Sequence, residues 1–427
     1  MNTEKCSFGK PFLSKRFVGI AIVLSLLFLV VLPTIAAEDD FVLGIYGNAN
    51  EDNTIDMRDL TYVKLIFFGE KPETEFADAK YDGKINPLDF VQIKLIIVGK
   101  EKELTFTDRR GKAVTVNEPV ERVIVYSIST YTTMRAINAG DAMVGICSKM
   151  AIDRKVFFPE VNESMWVGYP SSNFDFEKAF ALDPDLMIAG FLTSDWVDEF
   201  EETIEAVGIP FALMRPASED PYEIGIVEMG YIFGKVKEAY GYHDFLRDSI
   251  ANLTEMTEDI PEEDKPRVYL ETRKEDYKAC GKLSYPNVVC KMAGGNSITC
   301  DTIPGLCGVV DPEWVVEQNP DIIIKMMSSR VSGYEIDDHQ EMMAARDAIM
   351  NRSELSNVSA VKNGRVYVVS CSAVYAYSYI GVPYLMKVFY PDRFSDLDPT
   401  EIHQRDVDFQ GLNFDVKKQG VFIYPPL

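Results

Sequence analysis

The sequence predicts an α/β protein: two lobes of common design joined by a long helix, with a small all-α module ahead of them. The main observation is a stretch that occurs twice. Residues 173–190 read NFDFEKAFALDPDLMIAG and residues 310–326 read VDPEWVVEQNPDIIIKM; at a constant offset of 136, Asp175 falls on Asp311, Glu177 on Glu313, Pro184 on Pro320 and Asp185 on Asp321. A second, shorter repeat with an offset of 30 lies near the N-terminus. Between the lobes, Tyr222, Ile226, Met229 and Phe233 recur at helical spacing.

In each long-repeat copy an acidic residue opens a short helix, where a carboxylate suits the positive end of the helix dipole. The helix stops at Pro-Asp, because proline lacks the amide that would continue it. The runs that follow, LMIAG and IIIKM, are short and apolar like buried parallel strands. Two such helix–turn–strand units imply two α/β lobes facing one another.

At 427 residues the chain has room for two or three domains, and its 47% hydrophobic content is ordinary for a globular protein. A net charge of −24 with no basic stripe excludes nucleic acid as a partner. At the N-terminus, Lys10, Lys15 and Arg16 precede an apolar run over residues 17–32, then Pro33 and the small residues Ala36 and Ala37. That is the order of a secretory signal over residues 1–37, with an uncleaved anchor as the alternative. The expected location is outside the cytoplasmic membrane, at the cell surface.

The short repeat spans residues 47–69 and 77–99. Its first copy places Asn48, Asn50, Asp52, Asp56 and Asp59 at positions 1, 3, 5, 9 and 12 of a loop, with the Thr54 carbonyl at position 7. A hard calcium ion takes oxygens at this spacing. A helix with Leu60, Val63 and Phe67 on one face is expected to follow. The second copy keeps Asp78, Asp82, Asn86 and Asp89 but carries Lys80 at position 3, which removes an oxygen and puts its calcium binding in doubt. Residues 44–100 resemble a dockerin pair, and the resemblance implies calcium as cofactor and a cohesin-like surface protein as partner.

Six cysteines follow the signal, and an even number in an exported chain favours disulfides. Pairing of neighbours, Cys280 with Cys290 and Cys300 with Cys307, would staple a loop-rich part of the second lobe. Zinc is the alternative, but the short C-x-x-C knuckles it prefers are missing. The histidines, His243, His339 and His403, are too scattered to form a metal cluster.

Several stretches stand in the order of the class III periplasmic binding proteins of ABC importers. These are LTFTDRRGKAVTVNEPVERV at 104–123, IVYSISTYTTMRAINAGDAMVGIC at 124–147, AGGN at 293–296, AVKNGRVYV at 360–368 and the long repeat itself. Residues 104–395 resemble that family, which captures ferric siderophores, haem and cobalamin. The resemblance implies a binding domain over 104–427: Rossmann-like lobe one at 104–220, a connecting helix at 221–261, lobe two at 266–395 and a tail at 396–427. It implies one permease-docking glutamate per lobe, and Glu177 and Glu313 occupy the matching places.

The ligand cleft is expected where open α/β sheets place it, at the C-terminal ends of the strands. Candidate ligand-binding residues there are Tyr126, Ser127, Tyr131, Tyr169, Trp196, Arg215, Arg330, Tyr375 and Tyr377, with Phe191 beside them. Aromatic faces and guanidinium groups suit a metal chelate, ferric siderophore-like or corrinoid. Neither a G-x-S-x-G nor an H-E-x-x-H motif is present, so an enzyme is not expected. The reading is a solute-binding protein of an ABC importer, partnered by permease subunits and tethered through the dockerin-like module. The alternative is a cell-surface assembly protein with a non-chelate ligand or none.

Overall fold

The hairpin expected at 104–123 forms as β1 (Glu103–Thr107) and β2 (Ala113–Asn117), antiparallel with Phe106 opposite Val114. In this computed structural model, residues 41–190, 196–214, 222–273, 275–374 and 378–427 are described. The expected signal, residues 1–37, lies outside them, as do Phe191, Arg215, Tyr375 and Tyr377. No helix among the described residues is long and apolar enough to cross a membrane.

Lobe one is a parallel sheet of β3 (Val123–Val125), β4 (Met143–Ile146), β5 (Leu186–Ala189) and β6 (Phe211–Leu213), in the order β4-β3-β5-β6. The three-residue strands and β5 are buried throughout, as strands covered on both faces must be. Lobe two repeats the plan with parallel β7 (Arg267–Glu271), β11 (Ile322–Met327) and β12 (Val366–Ser370). Antiparallel β8 (Lys278–Cys280) and β10 (Cys307–Val309) extend one edge, β13 (Ile423–Tyr424) the other, and short β9 (Asn296–Ser297) pairs with β7.

Both copies of the long repeat fold as expected. Asp175 caps the helix Phe176–Ala181 ahead of β5, and Asp311 caps Pro312–Gln318 ahead of β11. The Pro-Asp aspartates act alike in the two lobes. Asp185 accepts from the amides of Glu121 and Arg122 at 2.8 Å, and Asp321 from that of Arg267 at 2.9 Å. Each thereby ties the start of its strand to the neighbouring strand, β3 or β7, and satisfies amides that the ladder leaves open.

The connection between lobes is two helices rather than one, Tyr222–Ile232 and Val236–Glu258. Gly234, at φ 59°, ends the first. A Cβ on Gly230 would lie 2.4 Å from that of Ala239, so only glycine lets the pair cross this closely. The tail belongs to lobe two. It supplies β13 against β12, and Gln410, just past the helix Pro399–Phe409, accepts from Arg135 of lobe one at 3.0 Å.

The short repeat forms two loop-helices, Met57–Phe67 and Pro87–Ile97, each opened by a capping box, Asp56 with Asp59 and Asn86 with Asp89. Leu60, Val63 and Ile66 are the buried face; Phe67, expected to be among them, is 41% exposed because the stripe turns back by one residue at the helix end. The module packs into one compact unit with the rest of residues 42–427. The Thr107 amide donates to the Gly44 carbonyl at 2.7 Å, and the Ile55 amide donates to the Tyr231 hydroxyl of the connection at 2.9 Å.

Candidate functional site

A cavity of about 270 Å³ lies between the lobes, at the C-terminal ends of the strands. Each wall residue is delivered by a strand end. Ile128, Ser129 and Thr132 come from the helix Ile128–Ala136 after β3, and Met150, Arg154 and Phe157 from the segment after β4. From the other lobe, Arg273 follows β7, Ser329 and Tyr334 follow β11, and Cys371 and Ser372 follow β12. Ile128 and Ser129 are the first turn of their helix, so its positive end opens on the cavity.

Among the described residues the lining holds two guanidinium groups and no carboxylate, in a chain whose net charge is −24. Arg154, only 6% exposed, stacks over Phe157 at 4.9 Å and Phe158 at 5.2 Å and donates to Ser372 Oγ of lobe two at 3.4 Å. Burial pushes the Cys371 thiol up to about 12 although Arg273 pulls it down, so a neutral thiol faces the cavity. Tyr334 stacks on Phe157 across the lobes, ring centroids 4.3 Å apart. Its hydroxyl meets His403 Nε2 at 2.7 Å, and Tyr384 meets Nδ1 at 3.0 Å. Burial pushes His403 down to about 3, so this ring is neutral and holds Tyr334 in place at the cavity wall.

Glu335 accepts from the amides of Val156 and Phe157 at 3.0 Å each, and Arg330 pairs with Asp153 at 3.3 Å. Both contacts cross between lobes and hold the Arg154 segment against lobe two.

Among the described residues, Tyr126, Ser127, Tyr131, Tyr169 and Arg330 are not part of this lining. Ser127 caps the Ile128–Ala136 helix and meets Ser129 Oγ at 2.9 Å, orienting a wall residue. Tyr126 packs on the lobe-one core. Tyr131 is 1% exposed and donates to Glu160, since the helix turns it inward. Tyr169 is at the surface beside Trp166, and Trp196 opens the helix Trp196–Ala206. Arg330 pairs with Asp153 and keeps most of its side chain exposed. Arg273, Ser329 and Ser372 each sit two residues past a strand, a signal the sequence carried; Arg154 lies eight past β4 and is brought in only by the fold. Glu177 and Glu313 are both exposed, each in the first turn of its helix.

The two loops of the module share one geometry. Asp59 accepts from the amides of Asn50 at 3.1 Å and Asp56 at 2.7 Å; Asp89 accepts from Lys80 at 2.9 Å and Asn86 at 2.7 Å. Lys80 Nζ leaves its loop for Glu103 at 3.1 Å, so the lysine removes a ligand without placing its charge inside. Burial, reinforced by Asp52 and Asp56, raises the fully buried Asp59 to about 6, a charge crowding that a hard cation would relieve. Arg58 meets part of it, pairing with Asp52 at 2.9 Å and Asp56 at 3.0 Å. No group of three or more His, Cys, Asp and Glu side chains among the described residues is disposed to hold a metal; the first loop's set relies on two asparagines and a carbonyl as well.

In this structure the expected pairs, Cys280 with Cys290 and Cys300 with Cys307, are not joined. Among the described residues no two cysteines are joined, and β8–β10 pairing sets Cys280 opposite Cys307, because strand register and not sequence proximity decides neighbours.

The family described as periplasmic binding protein matches residues 123–371. A cobalamin-binding protein of Halobacterium salinarum is 24% identical over 276 residues, 62% of this chain and 68% of that protein. The molybdate-binding protein MolA of Haemophilus influenzae is 23% identical over 325 residues, 68% of this chain and 86% of that one. Among solved structures, the TroA-like periplasmic binding protein FepB from Veillonella parvula superposes with a TM-score of 0.64 at 24% identity, covering 75% of this chain and 98% of that chain. Molybdate-bound MolA superposes with a TM-score of 0.59 at 20% identity, covering 73% and 99%.

Proposed function

We propose that this chain, which belongs to the periplasmic binding protein family, is the extracytoplasmic solute receptor of an ABC importer and captures an anionic metal chelate of the ferric siderophore or corrinoid class. The observation that carries this reading is the pair Arg154 and Arg273, one per lobe, in a cavity whose described lining has no carboxylate. Two guanidinium groups on opposite walls bridge the lobes through a bound anion and couple capture to closure. Phe157 and Tyr334 add aromatic surface to the wall, against which the organic part of a chelate would rest. Cavity size favours a compact ligand, and the hydroxyls of Ser129, Thr132, Ser329 and Ser372 would also serve a tetrahedral oxyanion. That is the second reading, and the likeness to MolA supports it.

Calorimetry of the full chain against ferric siderophores, corrinoids and molybdate, with Arg154→Ala alongside, tests both readings. We expect saturable binding of a ferric chelate, weakened ten-fold or more by the variant, about 1.4 kcal/mol or more. Binding of molybdate alone would transfer the function to the second reading, and binding of a sugar or peptide alone would overturn both.

Delivery to the permease is assigned to Glu177 and Glu313, whose exposed, equivalent positions give one anchor per lobe against a two-fold transporter. The module is assigned calcium at Asn48, Asn50, Asp52, Thr54, Asp56 and Asp59, with a weaker second site at Asp78, Asp82, Asn86 and Asp89, and a cohesin-like surface partner.

A further inference from the structure

β8 and β10 run antiparallel with Cys280 opposite Cys307, Ala279 opposite Gly308 and Lys278 opposite Val309. The Gly281 amide donates to the Leu306 carbonyl at 2.9 Å, and the Val310 amide to the Tyr277 carbonyl at 2.9 Å. Residues 281 with 306 and 277 with 310 are therefore hydrogen-bonded pairs, and by the alternation of an antiparallel ladder Cys280 with Cys307 is a non-hydrogen-bonded pair. Such pairs bring their Cα atoms to about 4.5 Å, with both side chains on one face. That separation falls inside the roughly 4.4–6.8 Å span of disulfides.

We propose that Cys280 and Cys307 form a disulfide in the exported protein, closing the loop of residues 281–306. The link secures β10, a three-residue edge strand; Leu306 just before it and Val309 at its end are 67% and 68% exposed. It also braces β8, the strand directly after the turn that carries Arg273 into the cavity.

Exposure sets the order of the chemistry, because Cys307 is exposed and Cys280 is buried. The Cys307 thiolate, its proton lost to solvent, attacks a small-molecule or carrier-protein disulfide and releases one thiolate. The Cys280 thiolate then attacks Cys307 Sγ in the mixed disulfide and releases the second. Two protons leave the cysteines, and their two electrons reduce the donor disulfide to two thiols.

Full-length protein exported into an oxidising compartment, purified without reductant, alkylated and digested unreduced, is read by mass spectrometry. The expected product is the Cys280 peptide joined to the Cys307 peptide, lost on reduction. In parallel, reductant lowers the melting temperature of the wild type by several degrees and leaves that of Cys307→Ser unchanged. Recovery of both residues alkylated, a link from Cys280 to Cys290 or Cys300, or Cys307 joined to Cys307 of a second copy would each overturn the assignment.

Discussion

Glu271 ends β7 directly before the cavity turn and is fully buried. It accepts from Lys325 Nζ at 2.7 Å, from Arg352 at 2.8 and 3.0 Å, and from the Tyr277 amide at 3.1 Å. Glu271→Gln keeps the volume and one acceptor but removes the charge, leaving two cations in lobe two facing a neutral amide. Breaking a buried pair by removing one partner costs about 3–5 kcal/mol. Asp276, 2.7 Å from Arg352, remains as a solvent-facing partner and places this case at the low end. With an unfolding entropy of about 2.1 cal/mol/K per residue over the unit 42–427, roughly 3 kcal/mol lowers the melting temperature by about 4 °C. The shift is larger if lobe two melts alone.

The pH dependence follows from the same contacts. Burial alone would raise the Glu271 carboxyl, but Arg352 and Lys325 outweigh it and hold it below the ordinary carboxylate range. Its stabilisation is therefore complete above the unfolded value of about 4.3 and is lost as pH falls through the depressed folded value. Thermal melts and urea titrations of wild type and Glu271→Gln from neutral to acid pH give the comparison. An unchanged melting temperature at neutral pH, or a gap that persists undiminished in acid, would refute the argument.

Glu177→Arg combined with Glu313→Arg is expected to leave solute affinity and melting unchanged while abolishing uptake in vesicles carrying the cognate permease; full uptake would leave the two residues only a role at their helix starts. Calcium is expected to bind the full chain by calorimetry and to be lost with Asp52→Ala plus Asp59→Ala. Its affinity should weaken as pH falls through about 6, because protonated Asp59 cannot ligate it; equal heats with the double variant would remove the assignment. Tyr231→Phe leaves the Ile55 amide, in a residue 5% exposed, without its acceptor, for a loss of about 1–3 kcal/mol. A melting temperature equal to the wild type would show that the module does not lean on the connection.

Periodicity and punctuation in the sequence alone determined the α/β class, the two equivalent helix–turn–strand units, the paired loop-helices and the positions of Glu177 and Glu313. These are local matters: capping carboxylates, a proline that ends a helix and apolar runs of strand length act within a few residues. Which groups meet across the lobes was decided by tertiary structure. Arg154 reaches Ser372 and Tyr334 reaches Phe157 only after both sheets have formed and docked. Tyr131, a reasonable ligand aromatic by composition, is turned inward by the helix that carries it, whereas Arg154 and Arg273 had no aromatic or repeat signal to mark them. The cysteines make the same point: that Cys280 lies opposite Cys307 follows from the register of β8 on β10, and register is fixed by hydrogen bonds between strands 27 residues apart at these two residues, which no local pattern encodes.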